Sequence, residues 1–265
     1  LEKQILTNWH LDMDIFTTCL IYCLLTEQKL NLANSAIQNS KNREITFIKD
    51  VHIVQAPFLN QNGKKVIPRD EAEVNPDFFK FRQQLGQALQ KKDLDFVLSH
   101  LDDNVKLSFG GLAGKKDFLK MWNLEKNPEK SEMWRTLLDV INLGGRFEDK
   151  ERNSFTAPYT FLAEEVEDSY QSLIVIGENV TVRKTPSTKG AILGFLSYDV
   201  VKRVYESNPP QETINQETHP WIKIETKEGI VGYVYGKYMR SPIDYRVNFV
   251  KKDGTWKITF FIAGD

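Results

Sequence analysis

Hydrophobic and polar positions change period twice along this 265-residue chain. From residue 44 the string EITFIKDVHIVQAPFLNQNGKKVIPRD alternates apolar with polar residues around Asn62-Gly63. An Asn-Gly pair between alternating runs predicts a hairpin turn with a strand on either side. After Asn75-Pro76-Asp77 the period lengthens, and Phe78, Phe81, Leu85 and Leu89 recur at helical spacing. Proline at the first helical position and aspartate in the first turn both favour initiation, so a helix is predicted to about Lys92. LDFVLSHL reads as a shorter helix capped by Asp93, NVKLSF as extended chain, and GKKDFLKMW as helix again. SEMWRTLLDVINLGG predicts a helix from a Ser131 cap to Gly144-Gly145, and FTAPYTFL a strand that Pro158 keeps near an edge.

Beyond Tyr170 the period is almost wholly that of β-strands. SLIVIG, NVTVR, AILGFL, DVVKRVYE, WIKIET and GIVGYVYG are short runs separated by turn signals, and predict a small barrel of about five to seven strands. SNPPQETINQETHP, residues 207–220, is polar and proline-rich and reads as a long surface loop. DYRVNFVKKDGTWKITFFIAGD predicts a last hairpin around Asp253-Gly254. The acidic AEEVED is the natural linker.

Two stretches carry a family resemblance. VIGENVTVRKTPSTKGAILGFLSYDVVKRV with WIKIETKEGIVGYVYGKYM resembles the bacterial SH3-like (SH3b) domain: a valine-rich strand ending in Val-Arg, a Pro-Ser turn, a glycine-containing strand, a strand opening on Trp, and a closing Gly-Tyr-Val strand. The long segment 207–220 before Trp221 departs from that pattern, so contacts carried by that loop do not transfer. FFKFRQQLGQALQKKDLDFVLSHLDDNVKLSFGGLAGKKDFLKMW, with DGTWKITFFIAGD, is similar to the nuclear transport factor 2-like (SnoaL-like) α+β cone. Together the resemblances imply an α+β N-terminal domain followed by a small all-β SH3-like barrel, with the final C-terminal hairpin returning to the N-terminal domain. The expected partition is a leader at 1–35, an α+β domain at 36–163, a linker at 164–170, the barrel at 171–241 and the C-terminal hairpin at 242–265.

Composition changes this picture little. With 35 basic and 36 acidic residues the formal net charge is -1, so no global field draws the chain to nucleic acid. The N-terminus adds a question of compartment. DIFTTCLIYCLL is an apolar run shorter than the roughly 20 residues a membrane helix needs, but of the length of a signal-peptide core. Small residues precede Ala36 as a signal peptidase requires, while Asp12 and Asp14 stand where positive charge is usual. The SH3b resemblance implies a bacterial protein, and a cleaved leader would make it periplasmic or secreted. An amphipathic helix docked on the body would leave it cytoplasmic. Cys19 and Cys23 lie inside that run, too few and too close for a disulfide framework or a four-thiolate zinc site.

Catalytic chemistry is sparse. GGLAGKKDF lacks the four-residue spacing and the hydroxyl that a nucleotide phosphate loop needs, and reads as a strand-to-helix turn. His10, His52, His100 and His219 fall in four segments without metal-ligand spacing. His52 and Asp102 are the acid-base candidates that the cone resemblance would call on, with no pattern aiming one at the other. No cofactor is implied. Aromatic residues of the barrel remain. Tyr198, Trp221, Tyr235 and Tyr238 fall on or beside its strands, with Tyr233 and Tyr235 on one face by alternation, and tyrosine and tryptophan offer large amphipathic area to an extended peptide. The expected function is non-enzymatic binding or scaffolding, the SH3-like barrel taking a cell-wall peptide or a protein segment on those four residues. A small-molecule enzyme or binding site in the cone, and a barrel acting only as a structural cap, are the rival expectations.

Overall fold

The structure, a computed structural model, describes residues 56–161 and 163–264. The leader, both cysteines, His10, His52 and the strands expected before residue 56 lie outside the described residues.

Four helices follow the predicted period. Helix α1 spans Pro76–Lys91, α2 Leu94–Ser99, α3 Gly114–Met121 and α4 Met133–Asn142. The Asn75 side chain accepts hydrogen bonds from the backbone N–H groups of Asp77 and Phe78 at 3.1 Å each, filling two of the free donors of the α1 terminus. Asp93 does the same for α2 through Phe96 N–H at 3.0 Å. The buried stripe of α1 is Phe78, Phe81, Leu85, Ala88 and Leu89. It meets a five-stranded sheet made of β1 (Leu101–Lys106), β2 (Arg146–Phe147), β3 (Ser154–Ala157) and the C-terminal hairpin, which elements of the second sheet separate from β3 in sequence. That hairpin comprises β12 (Arg246–Lys252) and β13 (Thr255–Ile262), turning at Asp253-Gly254 where both residues have positive φ. β13 pairs in parallel with β1 and β12 antiparallel with β3, so the strand order is β1-β13-β12-β3-β2. The C-terminal hairpin therefore completes the sheet begun near residue 101. β3 is next to the edge of the sheet, flanked by β12 and the two-residue edge strand β2, and Pro158 follows its last paired residue, where a proline costs no ladder bond.

The second sheet holds β4 (Ser172–Val175), β5 (Val180–Arg183), β6 (Ile192–Leu196), β7 (Val200–Arg203), β8 (Gln211–Ile214), β9 (Glu217–Glu225), β10 (Val231–Tyr235) and β11 (Met239–Arg240). Its order is β11-β4-β7-β9-β10-β5-β6, with β8 paired to β9. Val180, Val182, Leu196, Val201, Ile224 and Val234 point into its apolar core, as alternation demands. Two expectations are corrected here. The strand path is open, and no ladder among the described residues joins β11 to β6 to close a barrel. Segment 207–220 is largely a β-hairpin, β8 with β9, turning on Asn215 and Gln216, both at positive φ.

The Asn62-Gly63 turn forms, Gly63 N–H donating to Asn60 O at 2.9 Å, but its flanks do not pair with each other. They run along β6 and β7 instead. Phe58 bridges Phe195 in parallel, Lys65 bridges Asp199, and Leu59 enters the core of the second sheet. Residues 57–66, assigned by sequence to the α+β part, are thus structural members of the β-region. Their apolar side chains find an open strand edge there.

Candidate functional site

Beside β5 and β10 lies an open cavity of about 340 Å³ walled by Trp221, Tyr235 and Tyr238. Asn179, Thr181 and Thr188 and the hairpin tip residues Ile214 and Asn215 complete its wall, with Glu178, Arg183 and Lys237 as the charged groups. The three rings form a staircase. Trp221 and Tyr235 have centroids 5.7 Å apart at 60°, and Tyr235 and Tyr238 6.4 Å apart at 59°.

Their exposures differ sharply. Trp221 is 2% exposed and Tyr235 5%, whereas Tyr238 is 42% exposed. Trp221 Nε1 donates to Glu212 at 2.9 Å, and Glu212 also accepts from the backbone N–H and hydroxyl of Thr188 at 2.9 and 2.5 Å. Those bonds, the Thr188 hydroxyl first, hold the Glu212 carboxyl below its ordinary pKa. The Tyr235 hydroxyl donates to the carbonyls of Glu217 at 2.5 Å and Glu212 at 3.1 Å. The Trp221 bond thus braces the β8–β9 hairpin internally and the Tyr235 bonds fasten it to β10, so both polar tips are turned to the hairpin and the rings form an apolar cavity floor. Trp221 and Tyr235 line the cavity as its floor, burial leaving only a small ring surface of each for a ligand to cover. Tyr238, on the single turn Gly236–Tyr238, is the ring that stands free at the rim.

Tyr198 is not brought to this cavity. It is half-buried at positive φ in the β6–β7 turn, its hydroxyl 3.3 Å from Glu178, and burial raises its pKa. Burial is also the first cause that pushes the Tyr159 hydroxyl up to about 12, and Tyr198 is the second.

The charged rim is internally paired. Arg183 Nη1 donates to Gly190 O at 2.8 Å and Lys237 Nζ meets Glu217 at 2.5 Å. Lys237 is the main cause of the depressed Glu217 pKa. Behind them His219 packs edge-on to Tyr235 at 5.3 Å and lies 3.4 Å from Arg135 of α4, which ties β9 to the helix. Burial, then the Arg135 charge, lower the His219 pKa.

Residues 178–240 match the bacterial SH3 domain. No curated protein and no solved structure matches the chain. The matched segment runs from Glu178 on the cavity rim to the end of β11, and so contains the whole aromatic staircase. A second depression joins the start of segment 207–220, at Ser207 and Pro210, to Pro186, Tyr205 and Tyr233, and of these the sequence reading missed Tyr205. Tyr205 is 66% exposed under the Arg203 guanidinium, 4.7 Å from its ring centre, and its hydroxyl donates to Tyr170 O at 2.8 Å. The run DVVKRVYE placed Tyr205 at a strand end, and nothing in its period distinguishes an exposed tyrosine there from a buried one.

The acid-base candidates of the α+β part are not assembled. His52 lies outside the described residues, and Asp102 is hydrogen-bonded to Lys252 at 2.5 Å, which is the first cause of its lowered pKa. Between helices and sheet the space is filled: Phe78 lies 4.3 Å from Phe155, 4.8 Å from Trp256 and 5.5 Å from Phe249, ring centre to ring centre. Among the described residues no cluster of histidine, cysteine and carboxylates could hold a metal, and no helix is long and apolar enough to cross a membrane.

Proposed function

We propose that this protein is a non-enzymatic binding module whose SH3 domain takes an extended peptide of the bacterial cell wall in the cavity beneath Tyr238. An SH3 domain suits a protein- or peptide-binding role in general. The observation that carries the finer reading is the division of labour within the staircase. Trp221 and Tyr235 spend their polar groups on the hairpin and offer only ring surface, so the cavity presents an apolar floor with threonine and asparagine side chains at its wall. Such a surface suits a flexible backbone with small side chains, whose amides find the polar wall while its carbon atoms cover the rings. The aromatic filling of the α+β interior favours a supporting role for that part over a small-molecule site. The reading places the protein outside the cytoplasm, where such a peptide is met.

The test is sedimentation of purified protein with isolated peptidoglycan. Tyr238→Ala should reduce the bound fraction about tenfold, in line with losing one aromatic anchor worth more than 1 kcal/mol. Binding unchanged in Tyr238→Ala, or absent in the native protein, removes the proposal.

A further inference from the structure

Residues 57–66 sit on the SH3 domain as an added ligand would. Leu59 N–H donates to Phe195 O at 2.8 Å and Phe195 N–H to Pro57 O at 3.0 Å, so the outer edge of β6 is paired in parallel with this segment. The Leu59 side chain, 6% exposed, fills a hole in the SH3 core. Asn60 is buried next to it, donating to Asp199 Oδ1 and Val200 O at 3.2 Å each and accepting from Lys227 N–H at 2.7 Å. Further along, Lys65 Nζ reaches Asp199 Oδ1 at 2.9 Å, and Val66 N–H donates to Tyr198 O at 2.9 Å.

Three features of the acceptor side make this more than a passing loop. Asp199 has a fully buried carboxylate whose amide and ammonium partners both come from 57–66, its remaining bond being from Ser197 N–H at 2.7 Å. A buried carboxylate is costly without such partners, so the groove is built for a donor-bearing segment. Gly194 admits the segment: a β-carbon there would lie 2.3 Å from Pro57 O and 2.6 Å from Leu59 Cγ. β6 also terminates the strand path of the second sheet, so its edge has backbone donors and acceptors open for pairing.

We propose that the β6 edge, the Leu59 hole and Asp199 form a peptide-acceptor groove that residues 57–66 occupy as a tethered internal ligand. The partner it fits is a segment that pairs parallel to β6 and then turns as residues 60–63 do, presenting an aliphatic residue, a side-chain amide immediately after it at the start of the turn, and a basic residue about five positions later. No residue that hydrogen-bonds residues 57–66 lines the cavity under Tyr238, so the two can be lost separately. A tether holds its own segment at an effective concentration of the order of millimolar, which sets a threshold that an outside segment must exceed.

The experiment uses the full chain and a fluorescent peptide with the sequence of residues 56–66, followed by anisotropy. The native protein should bind it weakly, because the groove is filled. Leu59→Ala/Asn60→Ala should bind it about 100-fold more tightly, as expected when a tethered competitor near millimolar effective concentration is removed. Adding Gly194→Ala to that variant should abolish binding, and a peptide carrying Leu59→Asp should not bind at all. Circular dichroism checks that each variant keeps its sheet; should the double variant lose it, the single Asn60→Ala replaces it with the same order of effects. Peptide binding equal in native and variant chains, no binding by a folded variant, or indifference to Gly194→Ala overturns the proposal. Tyr238→Ala should leave this peptide's binding unchanged, which separates failure here from failure of the cell-wall reading.

Discussion

Tyr238 and Trp221 border the same cavity, and substituting each should have opposite consequences. Tyr238→Ala removes an exposed ring and should shift the unfolding free energy by less than about 0.5 kcal/mol, the ordinary range for surface changes. Trp221→Ala empties a buried site and orphans Glu212 from one donor, and should cost about 3–5 kcal/mol. Urea unfolding of both proteins checks the contrast. Near equality would mean that the staircase is not divided into floor and rim. His219 offers a pH-dependent counterpart. Its folded pKa lies below the ordinary 6.5, so the folded state favours the neutral ring. The stability tied to neutrality is complete above the unfolded value and is lost as pH falls through 6.5 towards the lower folded pKa. The melting temperature of the native protein should therefore fall relative to His219→Gln between pH 7.5 and 5, and a constant difference across that range would show that the ring's charge state is immaterial. No motif around His219 announces this, because its partner Arg135 lies 84 residues away.

Elements formed where sequence period and end signals agreed. Helix α1 begins at the predicted proline because Asn75 caps it, and Asn75→Ala should lower stability by about 1 kcal/mol, measurable by thermal unfolding with Asn75→Asp as the conservative control. Valine alternation likewise identified β5, whose Val180 and Val182 point inward. The β8–β9 hairpin escaped the reading for a local reason. Its turn uses Asn215-Gln216 with both residues at positive φ, and glutamine lacks the signal that glycine provides at such a position. Asn62-Gly63 erred the other way. The turn was legible, but a turn does not say which strands its flanks will join.

At the scale of the whole molecule the chain passes from the SH3 region to the five-stranded sheet and back, because residues 57–66 and the β4–β11 strands form one region while β1–β3 and the C-terminal hairpin form the other. Cleavage within residues 163–168, the stretch read as a linker, should accordingly leave both fragments associated in gel filtration, each holding strands of both regions. Separation of the fragments would contradict this interleaving. A fragment limited to residues 178–240 lacks β4 and Leu59, which belong to its apolar core, and should give no cooperative melt. What the sequence by itself determined was local: the helices, most strands, the SH3 likeness and the aromatic residues around its cavity, all written in spacings within about 20 residues. Tertiary structure alone decided that the returning hairpin inserts between β1 and β3, that Trp221 and Tyr235 are floor while Tyr238 is rim, that Tyr198 lies away from their cavity, and that Leu59 fills the SH3 core. The physical reason is that period and capping act between neighbours in the chain. Burial and strand pairing depend on which surfaces meet, and here β1 with β13 and residues 58–65 with the β6–β7 stretch join residues more than 100 positions apart.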